Sequence, residues 1–312
     1  MKFTVTTLGT GSALPNKNRF SSAHVVDIRG HLFLIDCGEA TQVLMHRAGF
    51  SAVKLEAILI SHIHGDHIFG IFGLLSTMAL QSRLAPLDIF APMGFKTILD
   101  FFMGNFAEGV KFDINFHPIT VDSLTEIHKR RNFSIEAFPL NHRIDTYGYI
   151  FREAMPQLNI VKWRVEADSL TLKEIGSLKY GESVTRENGE VLDLERYTYL
   201  PYTPRAYAYC SDTAPFDELV EWIKGVDLLY HESTYGDDMQ KNAAKYFHST
   251  ARDAANAAQK AGVKRLLLGH YSSRYLSLEP LLFQAREVFA NTELSEDGKC
   301  YELELLRSES AF

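Results

Sequence analysis

The chain has 312 residues, of which 46% are hydrophobic and 23% charged, with a formal net charge of −7. This composition is that of an ordinary globular protein and excludes disordered, collagen-like and coiled-coil chains. The longest aliphatic runs, such as 57–60, are far shorter than the roughly 18 residues that a membrane-spanning helix needs. The acidic balance argues weakly against a surface coated with nucleic acid, because binding phosphates requires lysine and arginine.

The first residues and the cysteines indicate a cellular compartment. No basic start with a following apolar stretch precedes the first predicted strand, which argues against a secretory signal peptide. The three cysteines (Cys37, Cys210 and Cys300) are odd in number and widely spaced, which is typical of a reducing environment. We therefore expect a cytoplasmic protein, built as one large domain or two small ones.

The first half of the chain alternates strand-like and helical patterns. Short segments rich in β-branched and aromatic residues predict strands at 3–8, 23–28, 31–36, 57–60, 87–91, 115–117, 133–141 and 147–152. A tight hairpin turn is expected at Arg29–Gly30. Helices are predicted at 40–48, ended by Gly49, and at 68–80.

The second half repeats this alternation. Strands are predicted at 206–211, 227–231, 265–269 and 301–306, and helices at 216–224, 251–261 and 279–289. Thr250 and Asp253 form a possible capping box for the second of these helices, and Gly262 ends it. Hairpins combined with crossovers fit sheets covered by helices on their outer faces. Residues 153–204 are charged, tyrosine-rich and weakly periodic, and we interpret them as an arm or insertion.

The strongest chemical signal is the segment His62-Ile63-His64-Gly65-Asp66-His67, directly after a predicted buried strand. His62 and His64 are two residues apart in extended chain, so both can point the same way. Gly65 permits a turn that brings Asp66 and His67 back toward the same centre. Three histidines and an aspartate exceed the needs of one tetrahedral zinc ion that keeps a site for water, so two metals are predicted.

Two metals need further ligands, and three are available beyond the carboxyl ends of predicted strands. These are His142 after strand 133–141, Asp212 after strand 206–211 and His270 after strand 265–269. Their shared placement favours a common site. Asp212 is the best candidate for a bridge, because a carboxylate has two oxygens and can bind two cations.

At these residues the chain resembles the metallo-β-lactamase superfamily, whose signature is His-x-His-x-Asp-His, and within it the ribonuclease Z family. The resemblance covers most of the chain and implies a single α+β domain over 1–312, with a four-layer αββα fold around two central mixed sheets. The similarity includes, beside the hexapeptide, the segments 8–12, 15–19, 35–42, 211–213, 231–234, 248–250 and 270–275. The narrower resemblance is carried by His231-Glu232-Ser233-Thr234, His248-Ser249-Thr250 and Ser272-Ser273-Arg274-Tyr275.

The resemblance implies a zinc-dependent endoribonuclease that removes the 3′ trailer of precursor tRNA by attack of metal-bound hydroxide, leaving a tRNA 3′-hydroxyl. One ion would be held by His62, His64 and His142, and the other by Asp66, His67 and His270, with Asp212 between them. Asp66 would also orient or deprotonate the attacking water. The general acid would be His248, since an imidazole can donate a proton at neutral pH, and Glu232 would orient it.

RNA contacts are predicted at Lys17, Arg19 and Arg274, and the basic run 128–131 is as readily a solvated turn. If these cations bind RNA, they should share one face around the metal site. The resemblance implies a homodimer. The segment 153–204 lacks the Gly-Pro cluster of the arm that bacterial members of the family carry, so the manner of tRNA capture stays open.

The sequence leaves two alternative functions open. The first is a hydrolase of the same fold acting on a small phosphodiester or another small ester. The second is a metal-binding regulatory protein without turnover, against which the complete set of seven candidate ligands argues. The residues do not decide between zinc and manganese as the working metal.

Overall fold

The computed structural model describes residues 1–14, 17 and 19–307. Pro15, Asn16 and Asn18, which belong to the loop that carries part of the resemblance, lie outside the described residues. The chain divides into two compact units. The larger comprises 1–128, 135–151 and 206–303, and the smaller comprises 129–134, 152–205 and the segment from Glu304. Among the described residues, no helix combines the length and apolar character that crossing a membrane would need.

The described strands are numbered β1 to β18 in chain order. They are Phe3–Gly9, Ala23–Ile28, His31–Ile35, Leu55–Leu59, Leu87–Pro92, Ile114–Ile119, Thr125–Lys129, Phe133–Pro139, Tyr147–Glu153, Asn159–Ile160, Val184–Thr185, Val191–Leu192, Thr198–Tyr199, Ala206–Cys210, Leu228–Glu232, Leu266–Gly269, Thr292–Leu294 and Lys299–Glu302.

The described helices are numbered α1 to α11 in chain order. They are Thr41–Arg47, Gly65–Ile68, Ile71–Leu80, Phe95–Phe106, Lys162–Ala167, Leu172–Lys179, Leu194–Tyr197, Glu218–Trp222, Gln240–Tyr246, Ala251–Ala261 and Glu279–Arg286. Short 3₁₀ turns lie at Ala52–Lys54 and Asp237–Met239.

The larger unit contains two seven-stranded sheets. The first has the order β18-β1-β2-β3-β4-β5-β6, with antiparallel pairs from β18 to β3 and parallel pairs from β3 to β6. The second has the order β17-β16-β15-β14-β9-β8-β7, in which β14 to β17 are parallel. One apolar cluster joins the first sheet to α1, α3 and α4, and another joins the second sheet to α8, α10 and α11. Helices therefore cover the outer faces, which confirms the predicted four-layer αββα fold.

The smaller unit has short elements and a core of its own. It contains α5, α6 and α7 and the strand pairs β10–β13 and β11–β12. Leu170, Leu178, Leu192 and Tyr197 form its buried cluster. The unit overlaps the segment 153–204 that was interpreted as an arm, and both that role and the single-domain assignment stay predictions. The exposed basic residues 129–131 lie at the turn between β7 and β8.

The structure differs from the predicted elements at several points. The helix predicted at 68–80 begins only at Ile71, as α3, because the Gly70 N–H donates to the Cys37 carbonyl oxygen and not to the preceding turn, α2; a Cβ on Gly70 would lie 2.0 Å from the Gly38 carbonyl oxygen. Helix α4 went unpredicted, since Phe101 and Phe106 are exposed on it and its apolar residues do not keep to one face. The closing strand ends at Glu302 and not at 306.

Candidate active site

The candidate ligands lie beyond the carboxyl ends of strands from both sheets. His62 and His64 follow β4, and Asp66 and His67 lie on the single turn of α2. His142, Asp212 and His270 follow β8, β14 and β16. Because β14, β15 and β16 are parallel, their carboxyl ends meet at one edge of the second sheet. The predicted convergence of the seven residues is present in the structure.

A first cluster of possible metal ligands comprises His62, His64, His142 and Asp212, whose donor atoms all lie within 4.8 Å of one another. His62 Nε2 lies 2.9 Å from His64 Nδ1 and 3.6 Å from Asp212 Oδ2. His142 Nε2 lies 4.0 Å from the same carboxylate oxygen. Ligands at about 2.0–2.1 Å from a tetrahedral zinc ion are roughly 3.4 Å apart, so this cluster has the dimensions of one metal site.

A second cluster comprises Asp66, His67 and His270. Asp66 Oδ2 lies 3.6 Å from His67 Nε2 and 3.5 Å from His270 Nε2, and the two ring nitrogens are 3.3 Å apart. A further hydrogen bond, from the backbone N–H of Ala13 at 2.7 Å, fixes the Asp66 carboxylate. The spacing again suits one metal ion.

Asp212 lies between the two clusters. Its Oδ2 faces His62, whereas its Oδ1 lies 3.2 Å from His270 Nε2 and 3.6 Å from His67 Nε2. Within the described chain, Asp212 Oδ1 and His142 Nε2 are buried and have no hydrogen-bond partner. Buried polar atoms without partners are costly, and a bound cation would satisfy both. The arrangement therefore fits a metal-binding site, with Asp212 between the two clusters.

Hydrogen bonds at Nδ1 turn the Nε2 atoms of four histidines toward this site. His142 Nδ1–H donates to the Phe247 carbonyl oxygen at 2.8 Å, and His67 Nδ1 lies 2.7 Å from Asp36 Oδ2. A proton on Nδ1 leaves Nε2 as the free acceptor that a metal needs.

Two hydroxyls complete this set of contacts. The Ser61 hydroxyl donates to Asp36 at 2.9 Å and lies 3.0 Å from His62 Nδ1. The Thr234 hydroxyl donates to Glu232 at 2.7 Å and lies 2.9 Å from His270 Nδ1. Since each hydroxyl proton is already used, each oxygen accepts from the histidine. Thr234 was not singled out from the sequence, although it lies in the segment 231–234 that carries the resemblance.

His248 and Glu232 form a hydrogen-bonded pair at the edge of the site, where the donor atoms of His248, Asp212 and His270 also lie within 4.8 Å of one another. His248 Nδ1 lies 2.8 Å from Glu232 Oε1, and 3.9 Å from Asp212 Oδ2. The fully buried Glu232 carboxylate also accepts from the backbone N–H groups of Thr213 and Thr234. Burial opposes the charge on His248, but the carboxylates of Glu232 and Asp212 outweigh it and raise the pKa of His248 to about 9. These carboxylates favour the protonated imidazole, whose Nδ1–H donates to Glu232 Oε1.

These groups open onto a cleft of about 480 Å³. Its mouth has two exposed apolar side chains, Leu14 and Phe69. The described residues that line it are Ser12, Ala13, Leu14, His64, Gly65, Asp66, Phe69, Arg143, Asp212, Thr234, Tyr235, His248, His270, Ser272 and Ser273.

The predicted RNA-binding cations take different positions. Lys17 is exposed. The guanidinium of Arg19 donates to the Tyr275 carbonyl oxygen at 2.7 Å, so it also joins two loops of the protein. Arg274 is exposed, with its guanidinium 5.5 Å from the ring centre of Tyr235. Their roles in substrate binding stay predictions.

Comparison with known proteins extends this description. A family model described as Anti-Pycsar protein Apyc1 matches residues 3–156, and one described as Beta-lactamase superfamily domain matches 198–271. Ribonuclease Z of Cytophaga hutchinsonii is 39% identical over 302 residues, covering 96% of both chains. Ribonuclease Z of Parabacteroides distasonis is 38% identical over 296 residues, covering 95% of this chain and 97% of that protein.

The chain belongs to the ribonuclease Z family. A solved structure titled human tRNase Z, short form, is 26% identical, with a TM-score of 0.70 over 96% of this chain and 99% of the other. The metallo-β-lactamase fold protein YhfI of Bacillus subtilis, 20% identical with a TM-score of 0.68, shares the fold. Membership of the ribonuclease Z family makes this protein a metal-dependent hydrolase that cleaves RNA, as the sequence predicted.

Proposed function

We propose that this protein removes the 3′ trailer of precursor tRNA by endonucleolytic hydrolysis, leaving a 3′-hydroxyl on the tRNA body. The observation that carries the proposal is the bridged double cluster beside the His248–Glu232 pair, in a chain of the ribonuclease Z family. The name tRNase Z borne by the human relative supports tRNA as the substrate.

We further propose that the site holds two zinc ions, with manganese as a possible substitute. His62, His64 and His142 would hold one, Asp66, His67 and His270 the other, and Asp212 both. When bound, such ions supply Lewis acidity and lower the pKa of water toward about 7. The orphaned Nε2 of His142 and Oδ1 of Asp212 support this assignment.

The chain's own groups then divide the remaining work. The leaving 3′-oxygen of the tRNA body is strongly basic and needs a proton. His248 supplies that proton from Nε2, because its Nδ1 is held by Glu232. Asp66, fixed by the Ala13 N–H, would orient the attacking water or accept its proton.

A homodimer and a cytoplasmic location complete the proposal. Phe101 and Phe106 are each more than half exposed on α4 and line a hollow of about 340 Å³ together with Phe72 and Phe102. Burial of this apolar face against a second copy would remove it from water. The three free cysteines support a reducing compartment. Phe101→Glu should shift the sedimentation of a dimer toward that of a monomer.

The deciding experiment incubates the zinc-loaded protein with a precursor tRNA bearing a 3′ trailer and, separately, with bis(p-nitrophenyl) phosphate. We expect a single cut that leaves the mature 3′ end, together with slower hydrolysis of the small ester. Turnover of the ester without trailer removal would exclude tRNA processing and favour a hydrolase of small phosphodiesters.

A further inference from the structure

The cleft contains one cation that the proposed mechanism does not use. Among the described residues that line it, Arg143 is the only lysine or arginine, and it shares the cleft with the carboxylates of Asp66 and Asp212. Arg143 directly follows the candidate ligand His142 but was not predicted as a site residue from the sequence.

The position of Arg143 is set by the segment that precedes α10. Its guanidinium lies 5.6 Å from the ring centre of Tyr246. The next residue, Phe247, has a left-handed backbone with φ of 58° and accepts the hydrogen bond from His142 Nδ1. Two successive contacts therefore place segments 142–143 and 246–248 side by side, with His248 as the next residue. The guanidinium is thus held near the proton donor.

The guanidinium of Arg143 is available for a ligand. Its side chain is exposed, and in the described part of the chain it forms no ion pair or hydrogen bond. A guanidinium binds phosphate oxygens through two parallel N–H groups, and stacking on an aromatic ring leaves its edge free to do so. Arg19, in contrast, already donates to a backbone carbonyl, and Arg274 and Lys17 do not line the cleft.

We propose that Arg143 binds the non-bridging oxygens of the scissile phosphodiester and stabilises the negative charge that grows on them as the attacking oxygen bonds to phosphorus, before the P–O3′ bond breaks. The inference rests on the proposed phosphodiester chemistry but not on tRNA as the substrate. Cations placed where charge develops lower the barrier more than they improve substrate binding. Arg143 should therefore act mainly on kcat, and on small and large phosphodiesters alike.

The test compares Arg143→Ala and Arg143→Lys with the wild type, using bis(p-nitrophenyl) phosphate and precursor tRNA. We expect Arg143→Ala to lower kcat by roughly 10²–10³-fold on both substrates, in the range seen when one group that stabilises developing charge is removed. The kcat of Arg143→Lys should lie between those of Arg143→Ala and the wild type, because lysine keeps the charge but loses the paired N–H groups. Added guanidinium chloride should restore part of the activity of Arg143→Ala, which a merely structural role would not allow.

The matched control is Lys245→Ala. Lys245 lies 5.2 Å from the centre of the same Tyr246 ring, but it does not line the cleft. This variant removes the same charge and should keep kcat on the small ester within about twofold. Metal content and melting temperature should be unchanged in all three variants.

Several outcomes would overturn the inference. One is a kcat of Arg143→Ala on the small ester that equals that of the wild type. Another is a fall in kcat on precursor tRNA alone, which would place Arg143 on a neighbouring phosphate. The third is loss of bound metal from the Arg143 variants. If the wild type hydrolyses the small ester but leaves precursor tRNA intact, the proposed function fails, while the comparison on the ester still tests Arg143.

Discussion

His248 and Glu232 give a residue-scale test of the leaving-group step. Since the 3′-oxygen of a nucleotide is a poor leaving group without a proton, His248→Ala should slow cleavage of precursor tRNA by about 10²–10⁴-fold. The p-nitrophenolate ion leaves readily without protonation, so hydrolysis of bis(p-nitrophenyl) phosphate should fall far less. Single-turnover rates on both substrates measure the difference.

The control is the content of bound metal, which should stay at the wild-type level in His248→Ala. Glu232→Gln should behave similarly, because Glu232 contacts His248, backbone N–H groups and the Thr234 hydroxyl but, among the described residues, no ring nitrogen of a candidate ligand. An equal loss on both substrates would assign His248 to a role other than proton donation, and loss of metal would make it a ligand.

Asp212 gives the second test at this scale. Each of its carboxylate oxygens faces one cluster. Asp212→Asn keeps the volume but removes the charge and one oxygen, so both sites should weaken together. Elemental analysis after dialysis should give two metal ions per wild-type chain and fewer than one per variant chain. Loss of a single ion would mean that Asp212 serves one site only.

At the scale of elements, the contact between the loop 36–38 and helix α2, which carries Asp66 and His67, holds His67 in place. The Cys37 N–H donates to the His67 carbonyl oxygen at 2.7 Å, and the Gly70 N–H donates to the Cys37 carbonyl oxygen at 2.8 Å. A Cβ on Gly70 would lie 2.0 Å from the Gly38 carbonyl oxygen, so the two segments approach as closely as glycine permits.

Gly70→Ala should therefore lower both stability and metal affinity. Forcing the loop away should cost roughly 1–3 kcal/mol of unfolding free energy, as overpacking of buried contacts does. Titration with a chelator should show weaker binding at the site of His67. Gly176→Ala is the matched control, because a Cβ there meets nothing within 4 Å, and it should be neutral or stabilising. Wild-type stability of Gly70→Ala would contradict the close contact.

The same scale shows how far the sequence predicts the site. The strand before His62 and the placement of Asp212 and His270 after strands follow from short-range patterns, and the structure has all of them. At Gly65, where a turn was predicted, helix α2 begins. The break between α2 and α3 depends on Gly38, which is distant in the chain, so no local pattern reveals it. Two further features likewise depend on contacts between separate segments. They are the hydrogen bond from His270 Nδ1–H to the Thr234 hydroxyl and the position of Arg143 in the cleft.

At the scale of the whole molecule, the two sheets of the larger unit meet around a buried histidine. His24 on β2 lies edge-on to the rings of Tyr209 and Tyr230, at 5.0 and 4.2 Å between ring centres. Its Nδ1 lies 3.3 Å from the Tyr207 hydroxyl. Burial lowers the pKa of His24 to about 3, with the charge of Asp36 opposing this shift.

This histidine should make the closure of the two sheets sensitive to acid. In the unfolded chain His24 takes up a proton below a pH of about 6.5, but in the native protein it does so only near pH 3. The unfolded state therefore binds more protons between these values, and native stability falls as pH falls through this range. Through His24, the unfolding free energy at pH 5 should be about 2 kcal/mol lower than at pH 8.

Urea unfolding of metal-free protein at pH 8 and pH 5 measures this loss. His24→Phe keeps a ring in the same place but cannot be protonated, so its stability should fall about 2 kcal/mol less between the two pH values than that of the wild type. Tyr207→Phe removes the hydrogen bond and keeps the histidine, so it should retain the full pH dependence. Since the other histidines titrate alike in all three proteins, their contributions cancel in the comparison. If His24→Phe and the wild type lose the same unfolding free energy between pH 8 and pH 5, protonation of His24 does not destabilise the native protein. The acid sensitivity would then have another cause.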